Sequence, residues 1–153
     1  MVTRKYLPHI VILHIGGDEI LPDMGDGVDL GKAICRCMTE IYKTGKTLAR
    51  ARMVVPPKII FSEIIPRIKY NKFKINKQED ADQIRRITNR QVEIECYNQE
   101  YPLSSIRHAY IQRGEWELYE KFHNMKDNSN LSVEGLIELL KDIDYAAERM
   151  KPY

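Results

Sequence analysis

Apolar and polar positions along the chain form blocks that predict strands and helices in alternation. The first block, residues 8–15, is a short apolar run rich in β-branched residues, and Gly16-Gly17 ends it. Such a run is typical of a strand that is buried on both faces of a parallel sheet. A loop rich in Asp, Pro and Gly follows. Apolar residues then recur at helical spacings until Pro56-Pro57 breaks the pattern, namely Leu30, Ile34, Cys37, Met38, Ile41 and Leu48.

The remainder of the chain continues the alternation. Residues 58–62 predict a second strand, and a second helix is predicted from Asn76 or Lys77 to about Tyr97. The inward stripe of that helix is predicted as Ala81, Ile84, Ile87, Gln91 and Ile94. Residues 105–111 predict a third strand and residues 127–132 a turn, after which a helix is predicted over residues 133–150. Its predicted inward residues are Leu136, Leu139, Leu140, Ile143 and Ala147.

Strands that alternate with helices of this length predict an α/β layered domain with a parallel sheet. No internal repeat, low-complexity tract or Gly/Ser linker divides the sequence, so residues 1–153 are predicted to form one domain.

Composition narrows the classes of partner and compartment. The 24 Lys and Arg residues stand against 22 Asp and Glu residues, a formal charge of +2, which argues against nucleic acid as a partner. The longest apolar run, residues 10–13, is far shorter than the ~20 residues of a membrane-spanning helix. Three cysteines cannot all pair internally, and the N-terminus lacks a signal-peptide pattern. The sequence therefore predicts an intracellular, cytoplasmic protein with no membrane segment.

Four pieces of the chain carry a family resemblance. Residues 8–19, PHIVILHIGGDE, resemble the strand and loop of SGNH (GDSL-type) hydrolases, in which an apolar strand precedes His-x-Gly-x-Asn-Asp. Residues 127–135, DNSNLSVEG, are similar to that family's late block, Asp-Gly-x-His-Leu-Ser-x-x-Gly. Residues 60–67 resemble a strand and Pro-Arg step of an animal branch often found in mobile-element reading frames, and Arg107-His108 falls where that branch carries a His. The resemblance covers about residues 6–145.

The resemblance implies a three-layer, flavodoxin-like SGNH-hydrolase-type domain with its first strands missing, since the chain begins at the equivalent of the family's third strand. The Gly-Asp-Ser loop with the nucleophile is then missing too. Asp127 occupies the slot of the catalytic-triad Asp, and Asn130 occupies the slot of the His base. Gly16, Gly17 and Asp18 correspond to the oxyanion-hole loop, with Asp18 in place of the family's Asn.

These substitutions have chemical consequences. An anionic Asp18 repels a developing oxyanion, and Asn130 cannot accept and return a proton near neutral pH. The resemblance thus implies a hydrolase-like domain that is catalytically inactive and acts, if at all, by binding or association, with no cofactor. The alternative is an active carboxylic-ester hydrolase completed by an upstream or partner segment. A Ser–His pair relocated to His108 or His123 is less favoured, and His14 is interpreted as a hydrogen-bonded structural imidazole inside the first strand.

Charged and thiol clusters add three further hypotheses. The acidic residues of one loop (Asp18, Glu19, Asp23, Asp26 and Asp29) lack the spacing of a calcium loop and are interpreted as a solvated loop with an N-cap at Asp26 or Asp29. Cys35 and Cys37 point about 200° apart on a helix, so they are interpreted as packing residues, Cys37 above all, rather than metal ligands. No metal is predicted. A basic stretch could bind nucleic acid weakly by pairing phosphates while Tyr70 and Phe73 stack on bases, with Arg50, Arg52, Arg67, Lys69, Lys72, Lys74 and Lys77 as its charges.

The resemblance also bears on association. Loss of the first two strands leaves the strand at residues 10–15 on the edge of the sheet. An apolar edge strand is a template for pairing with another chain. The hypothesis is therefore that the protein forms a homodimer through this strand or covers it with residues 1–6 or with its C-terminal tail.

Overall fold

The computed structural model describes residues 7–109, 111, 123 and 131–149. Within these residues three strands and three long helices alternate along the chain. Their order is β1 (Ile10–Leu13), α1 (Val28–Arg52), β2 (Lys58–Ser62), α2 (Gln78–Asn98), β3 (Leu103–Ile106) and α3 (Val133–Arg149). Single 3₁₀ turns occupy Gly17–Glu19 and Ile75–Lys77.

The three described strands form one parallel sheet in the order β1-β2-β3. Leu13 of β1 pairs with Phe61 of β2, and Ser62 of β2 pairs with Ile106 of β3. The carboxyl ends of all three strands therefore meet at one edge of the sheet. The predicted α/β class and parallel sheet are confirmed.

Side-chain alternation along β2 separates the two faces of the sheet. Ile59 and Phe61 join the apolar core that α1 and α2 complete. Because successive side chains in a strand point to opposite faces, Ile60 and Ser62 lie on the other face. Ile60 and Ser62 are fully buried as well. Burial on both faces, which the sequence predicts for the first strand, is thus a property of the central strand β2.

The first strand is shorter and less buried than predicted. All four residues of β1 are half-buried, and Ile15, predicted to lie inside the strand, is exposed beyond its end. Val11 and Leu13 pack against the core. Among the described residues β1 pairs only with β2, so it lies at the sheet edge and buries less surface than a central strand.

Helix α2 buries Ala81 and Ile84 as its apolar pattern predicts, but towards its C-terminal end the buried face departs from the predicted stripe. Ile94 is exposed, whereas Thr88 and Asn89 are buried. Polar partners explain the difference, because the Thr88 hydroxyl donates to the Gly27 carbonyl at 3.1 Å. The Asn89 amide accepts from the Ile64 N–H and donates to the Ile64 carbonyl, both at 2.9 Å. Buried polar groups with such bonds cost little to bury.

Three smaller expectations are also corrected. Cys35 is buried and Cys37 is exposed, so Cys35 is the packing residue. The third strand is Leu103–Ile106 rather than residues 105–111, because pairing with β2 starts at Leu103 and ends at Ile106. Helix α3 buries Leu139 but leaves Leu136 and Leu140 exposed to solvent.

The predicted helix starts agree in part with the structure. Ser132 caps α3, since its hydroxyl oxygen accepts the Gly135 N–H at 3.1 Å. Asp26 accepts the Val28 N–H at 3.0 Å, but the N-cap of α1 is Gly27, so neither Asp26 nor Asp29 occupies the predicted N-cap position. No helix in the described part of the chain is both long enough and apolar enough to cross a bilayer.

Candidate functional site

Polar residues gather where the three parallel strands end. His14 follows β1 directly, Ser62 is the last residue of β2, and His108 lies two residues after β3. Since Leu13 pairs with Phe61, the next residues along these strands, His14 and Ser62, are neighbours. Ligands of open α/β sheets commonly bind at the carboxyl ends of the strands. This edge is therefore the first place to look for a site.

Four side chains form a continuous hydrogen-bonded chain at this edge. The His14 Nδ1 lies 2.9 Å from the Ser62 Oγ, and the Ser62 Oγ lies 2.6 Å from the His108 Nε2. The His108 Nδ1 in turn lies 2.9 Å from the Oδ2 of Asp142 on α3. We call these four residues the relay.

Burial differs sharply along the relay. Ser62 and His108 are fully buried. Asp142 keeps 31% of its side chain exposed, and His14 is exposed at the surface. The relay therefore has two solvent-facing ends, His14 and Asp142, and the two residues between them are buried. This corrects the interpretation of His14 as an imidazole inside the strand, because the strand ends at Leu13.

The hydrogen-bond donors in the relay follow from its acidic end. An ionised Asp142 only accepts, so the His108 Nδ1 carries the hydrogen. In a neutral imidazole the His108 Nε2 is then an acceptor, and the Ser62 hydroxyl donates to it. The Ser62 oxygen accepts from the His14 Nδ1–H, which leaves the His14 Nε2 as a hydrogen-bond acceptor. With neutral imidazoles, no other tautomers make all three bonds.

The environment of His14 favours its neutral form. Partial burial lowers the pKa of His14 below its ordinary value of 6.5, and the neighbouring His108 lowers the pKa further, because two protonated imidazoles would repel each other. The two rings meet edge to face, with centroids 6.3 Å apart. At neutral pH His14 is thus an uncharged imidazole.

A cleft of about 450 Å³ opens at the same edge. We call it the edge cleft. Its polar lining comes from His14, Asp18, Glu19 and Arg67, together with the Gly16-Gly17 backbone. Its apolar lining consists of Ile15, Ile64, Ile65, Leu131, Leu136 and Leu139. Of the relay residues, only His14 lines the cleft.

The loop with the predicted oxyanion residues forms one wall of the edge cleft. The Asp18 carboxylate accepts a 2.7 Å hydrogen bond from Arg67, and this contact lowers the pKa of Asp18. Gly16 has a φ of 108°, and a Cβ there would lie 2.8 Å from the Ile64 Cδ1. Gly16, Gly17 and Asp18 are therefore brought to the cleft as a group, with Asp18 paired to a cation. Asp127 and Asn130 lie outside the described residues.

The distances from Ser62 to His108 and on to Asp142 follow the order of a Ser–His–Asp triad. The Ser62 hydroxyl is fully buried, however, and Ser62 does not line the edge cleft, whereas its partner His14 does. A nucleophile must reach the carbonyl that it attacks. In this arrangement Ser62 links two imidazoles and has no access to a substrate.

Sequence reasoning found parts of the relay and missed its end. His108 enters there as part of the family resemblance and as a less favoured relocated base. Ser62 is not singled out, and no motif surrounds Asp142. Helix periodicity places Asp142 three residues after Leu139, which is the one signal that it faces the sheet. The other candidate, His123, is buried with its Nε2 2.9 Å from the Pro66 carbonyl oxygen.

The aromatic residues of the basic stretch, Tyr70 and Phe73, are not available at the surface for a nucleic acid. Tyr70 and Phe73 are both buried, and the Tyr70 hydroxyl donates to Asp82 at 2.9 Å. The prediction that these two rings stack on nucleic-acid bases is therefore wrong. Nor do three His, Cys, Asp or Glu side chains in the described part of the chain come together as a metal site.

Comparison with known proteins adds no relative from which a function could be carried over. No protein-family model, curated protein or solved structure matches the chain. The geometry of the edge cleft and of the relay is therefore the basis for the proposals that follow.

Proposed function

We propose that the chain is an SGNH hydrolase-like domain of flavodoxin-like layering that binds a small, partly apolar ligand in the edge cleft. In this proposal it does not hydrolyse esters through a serine nucleophile. The observation that carries the proposal is the position of the cleft at the carboxyl ends of the parallel strands, where α/β domains hold their ligands. Its volume of about 450 Å³ falls in the range of small-molecule sites.

The lining supports a ligand with one apolar and one polar end. Leu131, Leu136 and Leu139 contribute an apolar wall, and His14 and Arg67 contribute polar groups on other elements. Ligand sites in proteins typically combine an apolar surface with a few placed polar groups. A short alkyl chain bearing one oxygen-containing head group fits this description.

Two features argue against ester hydrolysis at this site. An oxyanion needs hydrogen-bond donors, whereas Asp18 presents a carboxylate that Arg67 already engages. The Ser62 hydroxyl is fully buried and bonded on both sides by imidazoles. The cleft therefore offers a place to bind a ligand without a nucleophile to attack it.

Active ester hydrolysis is the second candidate, because Ser62, His108 and Asp142 are spaced as a triad. The two candidates differ in turnover of 4-nitrophenyl butyrate by the purified chain. We expect a rate equal to that of buffer. A rate above buffer that Ser62→Ala abolishes would establish the hydrolase instead.

Binding itself is tested with methyl butyrate, followed by ¹H–¹⁵N NMR. We expect shifts at Gly16, Gly17 and Leu139 and a dissociation constant of about 1 mM, as for a ligand of this size. Leu136→Ser should weaken binding, because Leu136 lines the cleft. Leu140→Ser is the matched control, since Leu140 lies one turn along α3, is 59% exposed against 48% for Leu136, and does not line the cleft. Absence of shifts at millimolar ligand, or equal weakening by both variants, would refute the proposal.

A further inference from the structure

We propose that the relay fixes His14 as a hydrogen-bond acceptor in the edge cleft, so that the cleft selects ligands carrying a hydroxyl group over isosteric ethers and carboxylates. This inference rests on the proposed function, because it names the ligand class of the same cleft. It adds a role for the buried residues behind the cleft, which position His14 without touching the ligand.

Asp142 sets the direction of the hydrogen bonds in the relay. The Asp142 carboxylate can only accept, and it fixes the hydrogen on the His108 Nδ1, 2.9 Å away. The Ser62 hydroxyl lies 2.6 Å from His108 and 2.9 Å from His14, so the hydrogen on His108 also determines which atom donates to His14. Ser62 has one hydrogen to donate, and donating it to His108 leaves only its oxygen for His14.

The Nε2 of His14 is the acceptor that a ligand in the cleft would meet. His14 uses its Nδ1–H on Ser62 and makes no hydrogen bond through Nε2 to another described residue. The exposed imidazole ring lines the edge cleft. A ligand hydroxyl can donate to Nε2 there, whereas an ether oxygen cannot. An ether that covers Nε2 displaces water from this acceptor and supplies no donor in its place, so the ether binds less tightly than the alcohol.

The charged groups around His14 act in the same direction. Asp18 and Glu19 from the loop after β1 line the cleft, as does Arg67 from the segment after β2. His108 from the segment after β3 lies behind Ser62, and Asp142 from α3 lies behind His108. Arg67 is held by Asp18, so the second carboxylate, Glu19, opposes the entry of an anionic ligand. Carboxylates are therefore disfavoured by charge, and ethers are disfavoured by the lack of a donor.

The experiment compares pentan-1-ol, its isomer butyl methyl ether and pentanoate at pH 7.5 by NMR titration of the intact chain. We expect the alcohol to bind about five-fold more tightly than the ether, the effect of one hydrogen bond. Pentanoate should bind more weakly than either. Equal affinities for alcohol and ether, with both binding, would overturn this inference and leave the proposed function standing. No binding by any of the three would overturn both.

A direct readout of the imidazole completes the test. Imidazole ¹⁵N shifts should show the hydrogen of His14 on Nδ1, and a hydrogen on Nε2 at pH 7.5 would overturn the inference. Ser62→Ala should abolish the preference for alcohol over ether, whereas Ser104→Ala on β3, outside the relay, should retain it. On lowering the pH, protonation of His14 should abolish the preference, below the ordinary imidazole pKa of 6.5. A preference that persists with His14 protonated would also overturn the inference.

Discussion

The His108 Nδ1 and the Asp142 Oδ2 lie 2.9 Å apart, and this contact joins helix α3 to the segment that follows β3. His108 is fully buried, so its N–H depends on a protein acceptor. Removing an acceptor from a buried donor costs about 1–3 kcal/mol. The contact is therefore expected to contribute to stability as well as to orient the ring.

Asp142→Ala should lower the free energy of unfolding by about 1–3 kcal/mol, because the buried His108 N–H loses its acceptor. The measurement is urea denaturation followed by circular dichroism. Asp144→Ala is the matched control, since Asp144 lies two residues along α3 and is exposed. Equal effects of the two variants would contradict a specific role for Asp142.

The ion pair of Asp82 with Arg85 is expected to matter far more than a surface pair. Its N–O distance is 2.8 Å, and the Arg85 side chain is only 5% exposed. Asp82→Asn should destabilise the fold by about 3 kcal/mol, because Arg85 stays buried without this carboxylate. Asp80→Asn removes an exposed pair with Lys77 and should cost less than ~1 kcal/mol. Equal losses in urea denaturation would contradict this ranking.

The same carboxylate predicts a loss of stability in acid. Burial raises the pKa of Asp82, but hydrogen bonds and charges from Arg85, together with Tyr70 and Arg86, outweigh burial, and the pKa lies below its ordinary value of 3.8. Its contribution is thus complete above the unfolded-state pKa of about 4 and is lost as the pH falls through the lower folded-state value. Asp82→Asn should flatten the dependence of stability on pH below about 4. An unchanged profile would contradict the assignment.

The glycine at the start of the cleft loop is expected to resist substitution. Gly16 and Gly25 both have positive φ angles, 108° and 71°, but only at Gly16 would a Cβ meet another side chain, Ile64. Gly25→Ala should cost about 1 kcal/mol of backbone strain, and Gly16→Ala more than that. Adding Ile64→Val, which deletes the Cδ1 methyl, should recover part of the extra cost. A double-mutant cycle with no coupling between the two sites would show that crowding is not the cause.

Because β1 lies at the edge of the described sheet, pairing with β2 protects only one side of it from hydrogen exchange. The hypothesis that another segment or chain covers β1 predicts protection of its other side as well. Only β2 pairs with it among the described residues, and the hypothesis of a homodimer or of coverage by residues 1–6 or the C-terminal tail remains a prediction. Slow hydrogen exchange is expected along the whole of Ile10–Leu13. Val11→Lys should reduce association if two chains pair here, and mainly reduce stability if the chain covers itself. A monomer with fast exchange at these amides would refute both.

Much of the fold follows from local patterns, and the departures have physical causes. Strand β2 and helix α1 are found where apolar runs and Pro56-Pro57 place them, since these signals are local. Beyond Ile84 the buried face of α2 departs from the predicted stripe, because Asn89 bonds to the Ile64 backbone, a long-range pairing that hydropathy does not encode.

The site was predictable only in part for a related reason. Gly16 and Asp18 stand in a motif, so the loop of the cleft could be located from the sequence. The relay joins residues 34 to 48 positions apart, and only folding brings them together. The burial that denies Ser62 access to the cleft is likewise a property of the packed sheet.

The relay also bears on how such short strands find their alignment. β3 has only four residues, two of them serines, and an alternating apolar pattern cannot fix its position against β2. A slip of one residue would move His108 by about 3.3 Å along the strand direction and away from Ser62. The buried hydroxyl and imidazole would each then lose a bond worth about 1–3 kcal/mol. The four polar side chains of the relay thus help to fix the register of the sheet. They favour one alignment of β3 against β2, where backbone hydrogen bonds alone would allow several.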